Sequence, residues 1–162
     1  MSLKSLNKIK TIDEVVGLGV KIKAEGKTIV TTNGSFDILH PAHVNLLEKS
    51  KNEGDVLVVL LNSDSSIRRN KGEKRPILAE QERARIIASL GCVDYVVIFD
   101  DPKPLEYLKQ IRPDIHTKGA EDTGETRALL ETWGGRYKLL GIEEGFSTTS
   151  VIERVLEKYK NS

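Results

Sequence analysis

The stretch Thr28-Ile29-Val30-Thr31-Thr32-Asn33-Gly34-Ser35-Phe36-Asp37-Ile38-Leu39-His40-Pro41-Ala42-His43 decides how this sequence is read. Its first five residues are β-branched and predict a strand. Gly34 predicts a tight turn that bares backbone N–H groups. From His43 to Lys51, Val44, Leu46 and Leu47 fall on one side of a predicted helix. Strand, glycine turn and helix in that order open a crossover unit.

The same alternation runs outward in both directions. Upstream, Thr11-Ile12-Asp13-Glu14 reads as a capping box that opens a helix ending near Glu25. Downstream, Val56 to Leu61 is an unbroken apolar run, as expected of a strand covered on both faces. Residues 78–90 predict a helix, 95–99 a strand, and 103–111 a helix ended by Pro113. Residues 115–118 predict a strand, 125–133 a helix stopped by Gly134-Gly135, and 137–140 a strand. Residues 150–159 close the chain as a helix, with Val151, Ile152, Val155, Leu156 and Tyr159 at helical spacing. The predicted class is α/β: a Rossmann-like, doubly wound parallel sheet of about five strands with helices on both faces. Residues 1–26 form an N-terminal helical extension and 27–162 a single compact unit.

Composition agrees with one globular domain. The chain has 162 residues, 38% hydrophobic and 30% charged. A folded chain of this size buries roughly 70% of its surface, enough for a real core. Twenty-five Lys and Arg against 24 Asp and Glu leave a net charge of +1, which gives no pull toward nucleic acid or an anionic membrane. No apolar run approaches membrane-spanning length, and no secretory signal core is visible. The single Cys92 forms no internal disulfide and suits a reducing, cytoplasmic setting. These features exclude a disulfide scaffold, a cysteine zinc finger and a large multidomain enzyme.

In open parallel sheets ligands bind beyond the carboxyl ends of the strands, where strand order reverses. The site is therefore expected in residues 33–43, 62–75, 118–124 and 144–150. His40 and His43, three apart at a helix start, project to one side where the helix already favours anions. Such a pair suits stabilisation of charge on a phosphoryl group. Metal ligation and ordinary capping histidines are the competing readings; no Cys joins the pair, and His116 lies on another strand end. Asp37 alone is an ordinary turn residue. Residues 62–76 predict a long polar loop carrying Arg68, Arg69, Lys71, Lys74 and Arg75, either a mobile lid over phosphates or a solvated basic loop. Ser147, Thr148, Thr149 and Ser150 read as a second anion cradle or as N-caps. Lys118 reads as a phosphate contact or a snorkelling strand-end lysine. There is no P-loop and no G-x-S-x-G elbow, and Gly17-Leu18-Gly19 continues with Ile22, which breaks the dinucleotide fingerprint.

His40-Pro41-Ala42-His43 resembles the H-x-G-H signature of the nucleotidylyltransferase superfamily, and Ser147-Thr148-Thr149 resembles its I-S-T-T-type motif. Within that superfamily residues 10–155 resemble the adenylyltransferase domain of ADP-heptose synthase. The carrying segments are 32–39, 62–64, Lys71-Gly72 with Arg75-Pro76, 80–83, 93–99, Lys118-Gly119 and 145–152. The resemblance implies transfer of AMP from ATP to a sugar 1-phosphate, releasing pyrophosphate, in ADP-heptose and lipopolysaccharide core biosynthesis. It implies that His40, His43 and Lys71 stabilise the transition state. It implies that Thr32, Asn33, Gly34, Ser35, Phe36, Lys118, Gly119, Ser147, Thr148 and Thr149, with both histidines, hold the nucleotide. Asp37, Asn62, Asp64, Arg75 and Asp122 are the candidates for sugar or ribose contacts. Mg²⁺ is expected on ATP with no dedicated protein metal site. A separate sugar kinase is expected to supply the acceptor, and a homodimer is compatible. The sequence departs from the family pattern at Ala42, where Gly is usual, at Gly119-Ala120-Glu121-Asp122 in place of Gly-Gly-Asp, and at Ser35, where Cys is frequent. A cytidylyltransferase acting on glycerol 3-phosphate or another alcohol phosphate is the alternative. The segment 141–146 lacks the Arg that precedes the S-T-T motif in those enzymes. A non-catalytic nucleotide-binding relative is a further one.

Overall fold

The computed structural model describes residues 3–120 and 124–160. Helix α1 (Ile12–Ala24) begins at the Thr11 capping box: Thr11 Oγ1 accepts from the Glu14 N–H while the Glu14 carboxylate accepts from the Thr11 N–H. The chain then alternates: β1 (Ile29–Gly34), α2 (Pro41–Lys51), β2 (Val56–Asn62), α3 (Asp64–Lys71), α4 (Glu80–Ser89), β3 (Tyr95–Phe99), α5 (Leu105–Ile111), β4 (Ile115–Lys118), α6 (Glu125–Glu131), β5 (Arg136–Leu139) and α7 (Thr148–Tyr159). Among the described residues five strands form one sheet in the order β3-β2-β1-β4-β5, and every pairing is parallel.

Alternate residues of each strand feed two cores. Val30, Leu57, Val59 and Leu61 pack with Leu47 of α2 and with Ala84 and Ile87 of α4. Ile29, Val58, Leu60, Val97 and Phe99 face the other way, toward Val15 of α1 and Leu108 and Ile111 of α5. Residues upstream of β1 are tied to the same body: Lys8 Nζ donates to the Leu90 and Val93 carbonyls, and Val15 is buried. Strand order reverses at β1, whose neighbours are β2 on one side and β4 on the other. The cleft between their carboxyl ends is where the sequence places the site. Among the described residues no helix is long and apolar enough to cross a membrane.

Two local expectations are corrected. The predicted loop of residues 62–76 contains helix α3. Ser63 caps it by accepting from the Ser66 N–H, Ile67 is buried beneath it, and Asp64 in the first turn with Arg68, Arg69 and Lys71 in the last match the helix dipole. Ile67 is its only aliphatic residue, so no hydrophobic period betrays the helix. Gly34, read as the turn, instead ends β1, and the left-handed positions are Phe36 (φ 44°) and Ile38 (φ 52°). Gly34 serves the turn by lacking a side chain, since a Cβ there would stand 3.0 Å from the Phe36 ring.

Candidate functional site

A cavity of about 610 Å³ opens at the carboxyl edge between β1 and β4. It is walled by Asn33, His40, His43, Lys71, Arg75, Lys118, Gly119 and Ser147–Thr149, which come from four separate parts of the chain. A smaller recess of about 120 Å³ lined by Gly34, Ser35, Phe36 and Asp37 shares Asn33, His43, Lys71 and Thr148 with it. Most of the expected site residues thus meet in one place.

The two histidines are held by helix geometry. His40 is the N-cap residue of α2 and its side chain makes no capping bond; Pro41 begins the helix. The rings stack at a centroid distance of 3.7 Å with 20° between planes, and Phe36 meets His43 edge-on at 5.3 Å. Among the described residues both Nδ1 atoms are buried without a hydrogen-bond partner. A buried polar atom left unpaired costs free energy that a ligand can recover. Burial lowers the pKa of His40. His43 is pushed down to about 4, first by burial and then by the neighbouring His40 and Lys71. The pair is therefore neutral near pH 7. An entering anion reverses the balance that keeps the protons off.

Lys71, Arg75 and Lys118 line the same cavity. Burial lowers the pKa of the Lys71 ammonium, with the nearby Arg75 guanidinium acting in the same direction, although the residue as a whole is exposed. Lys118 Nζ donates to Asn33 Oδ1 at 3.1 Å, which sets it at the end of β4. Arg75 is held by Asp37, whose side chain is fully buried. Asp37 Oδ2 accepts from Arg75 Nε at 2.8 Å and from the Ile77 N–H at 2.9 Å, while Oδ1 accepts from the Leu78 N–H at 3.0 Å. Burial alone would raise this carboxyl, but the two N–H bonds and the guanidinium outweigh it and lower the pKa. The Asp37 carbonyl also accepts from Thr148 Oγ1 at 2.6 Å. One residue so joins the turn after β1, the basic segment and the start of α7. Its carboxylate is spent inside the protein: Asp37 anchors loops and offers no free oxygen to a sugar.

Other expected residues stand back from the cavity. Thr32 is buried and its hydroxyl donates to the Thr117 carbonyl. Asn62 Nδ2 donates to Ser66 Oγ. Asp64 pairs with Arg83 at 2.7 Å. Asp122 lies outside the described residues. Ser147 caps α7 by accepting from the Ser150 N–H, so of the three hydroxyls in that motif Thr149 alone is without an assigned bond.

Two groups escaped the sequence reading. Leu46, Gly141, Ile142 and Phe146 supply apolar wall, and Ile142 lies 3.2 Å from where a Cβ on Gly119 would stand. The available signal was apolar Ile142 and Phe146 inside an otherwise polar loop. Arg83 is the largest fully buried side chain among the described residues, and its guanidinium donates to the Ser35, Asn62 and Leu78 carbonyls and to Asp64. Its signal was a lone charge in register with Ala84, Ile87 and Ala88 on the apolar face of α4.

The chain is similar in sequence and fold to known proteins. The cytidylyltransferase-like family model matches residues 31–154. The bifunctional protein HldE of Pelobacter propionicus is 52% identical over 156 residues, covering 94% of this chain and 32% of that protein. The HldE of Geobacter sulfurreducens is 46% identical over 155 residues, again 32% of its length. The chain thus spans about a third of the curated relatives it matches. Among solved structures, the lipopolysaccharide core biosynthesis protein of Thermoplasma volcanium aligns with a TM-score of 0.62 at 33% identity, over 73% of this chain and 98% of that one. Pantoate-beta-alanine ligase of Francisella tularensis shares the fold alone, at 15% identity, a TM-score of 0.60 and coverage of 95% and 79%. With residues 31–154 matched by that model and its parallel strands arranged in the order β3-β2-β1-β4-β5, the chain belongs to the cytidylyltransferase-like family of nucleotidyltransferases.

Proposed function

We propose that this chain is an adenylyltransferase that transfers AMP from ATP to a sugar 1-phosphate, heptose 1-phosphate in the first instance. The observation that carries the reading is the stacked His40–His43 pair, unpartnered at Nδ1 among the described residues and lining one cavity with Lys71, Arg75 and Lys118. The similarity to the HldE proteins supports the choice of adenylyl transfer and of the acceptor.

An oxygen of the acceptor phosphate attacks the α-phosphorus of ATP. A new P–O bond forms, the bond to the bridging oxygen breaks, and pyrophosphate leaves with the electron pair. A phosphate monoester has its second pKa near ~6, so the nucleophile is already mostly ionised and needs no side-chain base. The protein's task is positioning and neutralisation of charge. His40 and His43 donate to the α- and β-phosphates as charge builds, and Lys71 and Arg75 close on the leaving group. Lys118, Gly119 and the start of α7 hold the nucleotide. Magnesium is expected to enter with the ATP substrate, held by phosphate oxygens and water, and no step is routed through it. The acceptor comes from a sugar kinase that phosphorylates the anomeric hydroxyl.

Pyrophosphate release decides the matter when the chain is incubated with Mg²⁺, ATP or CTP, and heptose 1-phosphate or glycerol 3-phosphate. ATP with heptose 1-phosphate is the productive pair. Turnover with CTP alone refutes adenylyl transfer, and ATP binding without turnover reduces the chain to a nucleotide-binding module. His40→Ala and His43→Ala each lower the rate by at least ~10²-fold in a folded protein, as for other preorganised charge stabilisers. Unchanged rates in both refute their role.

A further inference from the structure

His116 has no part in the chemistry above, and its position is unusual for its type. It lies within β4 and is fully buried. Thr31 of β1 and Tyr137 of β5 flank it in register, and its ring is 6.3 Å from the Tyr137 ring. An imidazole in such a place is costly unless its nitrogens are bonded. Here Nδ1 lies 2.7 Å from Thr31 Oγ1, and Nε2 lies 3.3 Å from Asn33 Oδ1. The same Asn33 oxygen accepts from Lys118 Nζ at 3.1 Å.

These partners fix the hydrogens. An amide oxygen only accepts, so Nε2 carries the ring proton. Nδ1 then presents a lone pair, and the Thr31 hydroxyl donates to it. Turning the Asn33 amide over would set its NH₂ against both the Lys118 ammonium and the Nε2–H, donor against donor. Thr31 and Asn33 alternate along β1, as His116 and Lys118 do along β4, so all four share one face of the sheet. The result is a ladder that runs from the buried sheet to the cavity. Asn33 and Lys118 line that cavity.

We propose that His116 is a positioning residue that pins the Asn33 amide from behind and, through the shared oxygen, sets the Lys118 ammonium at the cavity mouth. A lysine head is a flexible point charge with three rotatable donors. An acceptor locked in one orientation gives it one place to stand. With Nε2 removed, the amide is free to turn and Lys118 loses the fixed Asn33 oxygen as an acceptor. The inference rests on the cavity being a phosphate site, so its test reads the ladder and the binding separately.

The wild type is compared with His116→Leu, which fills the space without donors, and His116→Gln, which restores an N–H donor at the Nε2 end. In the ligand-free wild type, long-range proton–nitrogen correlation of the ring is expected to report the Nε2–H tautomer near neutral pH. The Nδ1–H tautomer or a charged ring overturns the proposal. In calorimetric titration with inorganic pyrophosphate, His116→Leu binds about tenfold more weakly, the loss of one well-placed hydrogen bond, while His116→Gln stays close to wild type. Equal binding by His116→Leu and wild type overturns it. If the wild type binds no pyrophosphate, the phosphate reading itself fails. The ladder is then judged on the Asn33 side-chain amide resonances, which must move in His116→Leu and hold in His116→Gln. If His116→Leu does not fold, His116→Phe takes its place as the ring without a donor, and unchanged Asn33 side-chain amide resonances then overturn the proposal.

Discussion

Asp37→Asn tests how the site is held together. The substitution keeps the shape of the side chain and removes its charge. In the wild type Oδ2 takes two donors and Oδ1 takes one. The least harmful rotamer of asparagine puts its oxygen where Oδ2 was and its NH₂ against the Leu78 N–H. One buried donor is then orphaned, at about 1–3 kcal/mol. Arg75 also loses its counter-charge. Removing one partner of a buried pair costs about 3–5 kcal/mol, but the Arg75 side chain is 14% exposed and recovers part of this from water. Together these give a loss of about 3 kcal/mol, or a Tm lower by about 6–12 °C for a domain of this size. The turn is loosened as well, because Phe36 and Ile38 sit at positive φ, which costs about 1–3 kcal/mol each and persists only where neighbours enforce it. Urea denaturation followed by circular dichroism gives the stability, and pyrophosphate titration gives the effect on the cavity. A loss below about 0.5 kcal/mol, the size of an ordinary surface change, refutes the anchoring role.

Acid should find the same group. The folded pKa of Asp37 is lowered, so its contribution is complete above the unfolded value of about 3.9 and is lost as pH falls below it; urea midpoints below that pH fall less steeply in Asp37→Asn than in wild type. The His43 ring, followed by proton NMR, titrates near 4 in the free protein and moves upward when pyrophosphate is added; an unmoved value shows that no anion reaches it. Because the unfolded imidazole takes its proton near ~6.5, stability declines as pH drops from there toward 4, and His43→Gln flattens that decline. Gly54→Ala destabilises by about 1–3 kcal/mol, because the new Cβ stands 2.7 Å from Val30 Cγ2 and 2.8 Å from Thr28 Cγ2, and β-branched side chains have little room to swing; thermal melting measures it.

Periodicity was the legible part of this chain. β2 and β3 are runs whose apolar or β-branched character follows from burial on both faces, and the Thr11 capping box marks the start of α1 without reference to anything distant. The site's location followed as well, because an open parallel sheet binds at the carboxyl ends of its strands wherever its order reverses. His40 and His43 were readable because three residues at a helix start put both on one side. Helix α3 was not readable, because it is held by the Ser63 cap and the burial of Ile67 rather than by any period of its own. Nor was the separation of Asp37, Asn62 and Asp64 from the open cavity. Their residue types suit ligand binding, and only the partners they meet on folding decide whether their polar atoms are free. Those partners are the distant Arg75 for Asp37 and Arg83 for Asp64, while Asn62 turns to Ser66, four residues on in helix α3. Local propensity and hydrophobic spacing act over a few residues and are written in the chain. The pairing of a buried charge or amide is settled by segments that meet only after folding, so the tertiary structure alone assigned which polar groups face the cavity and which bind the loops around it.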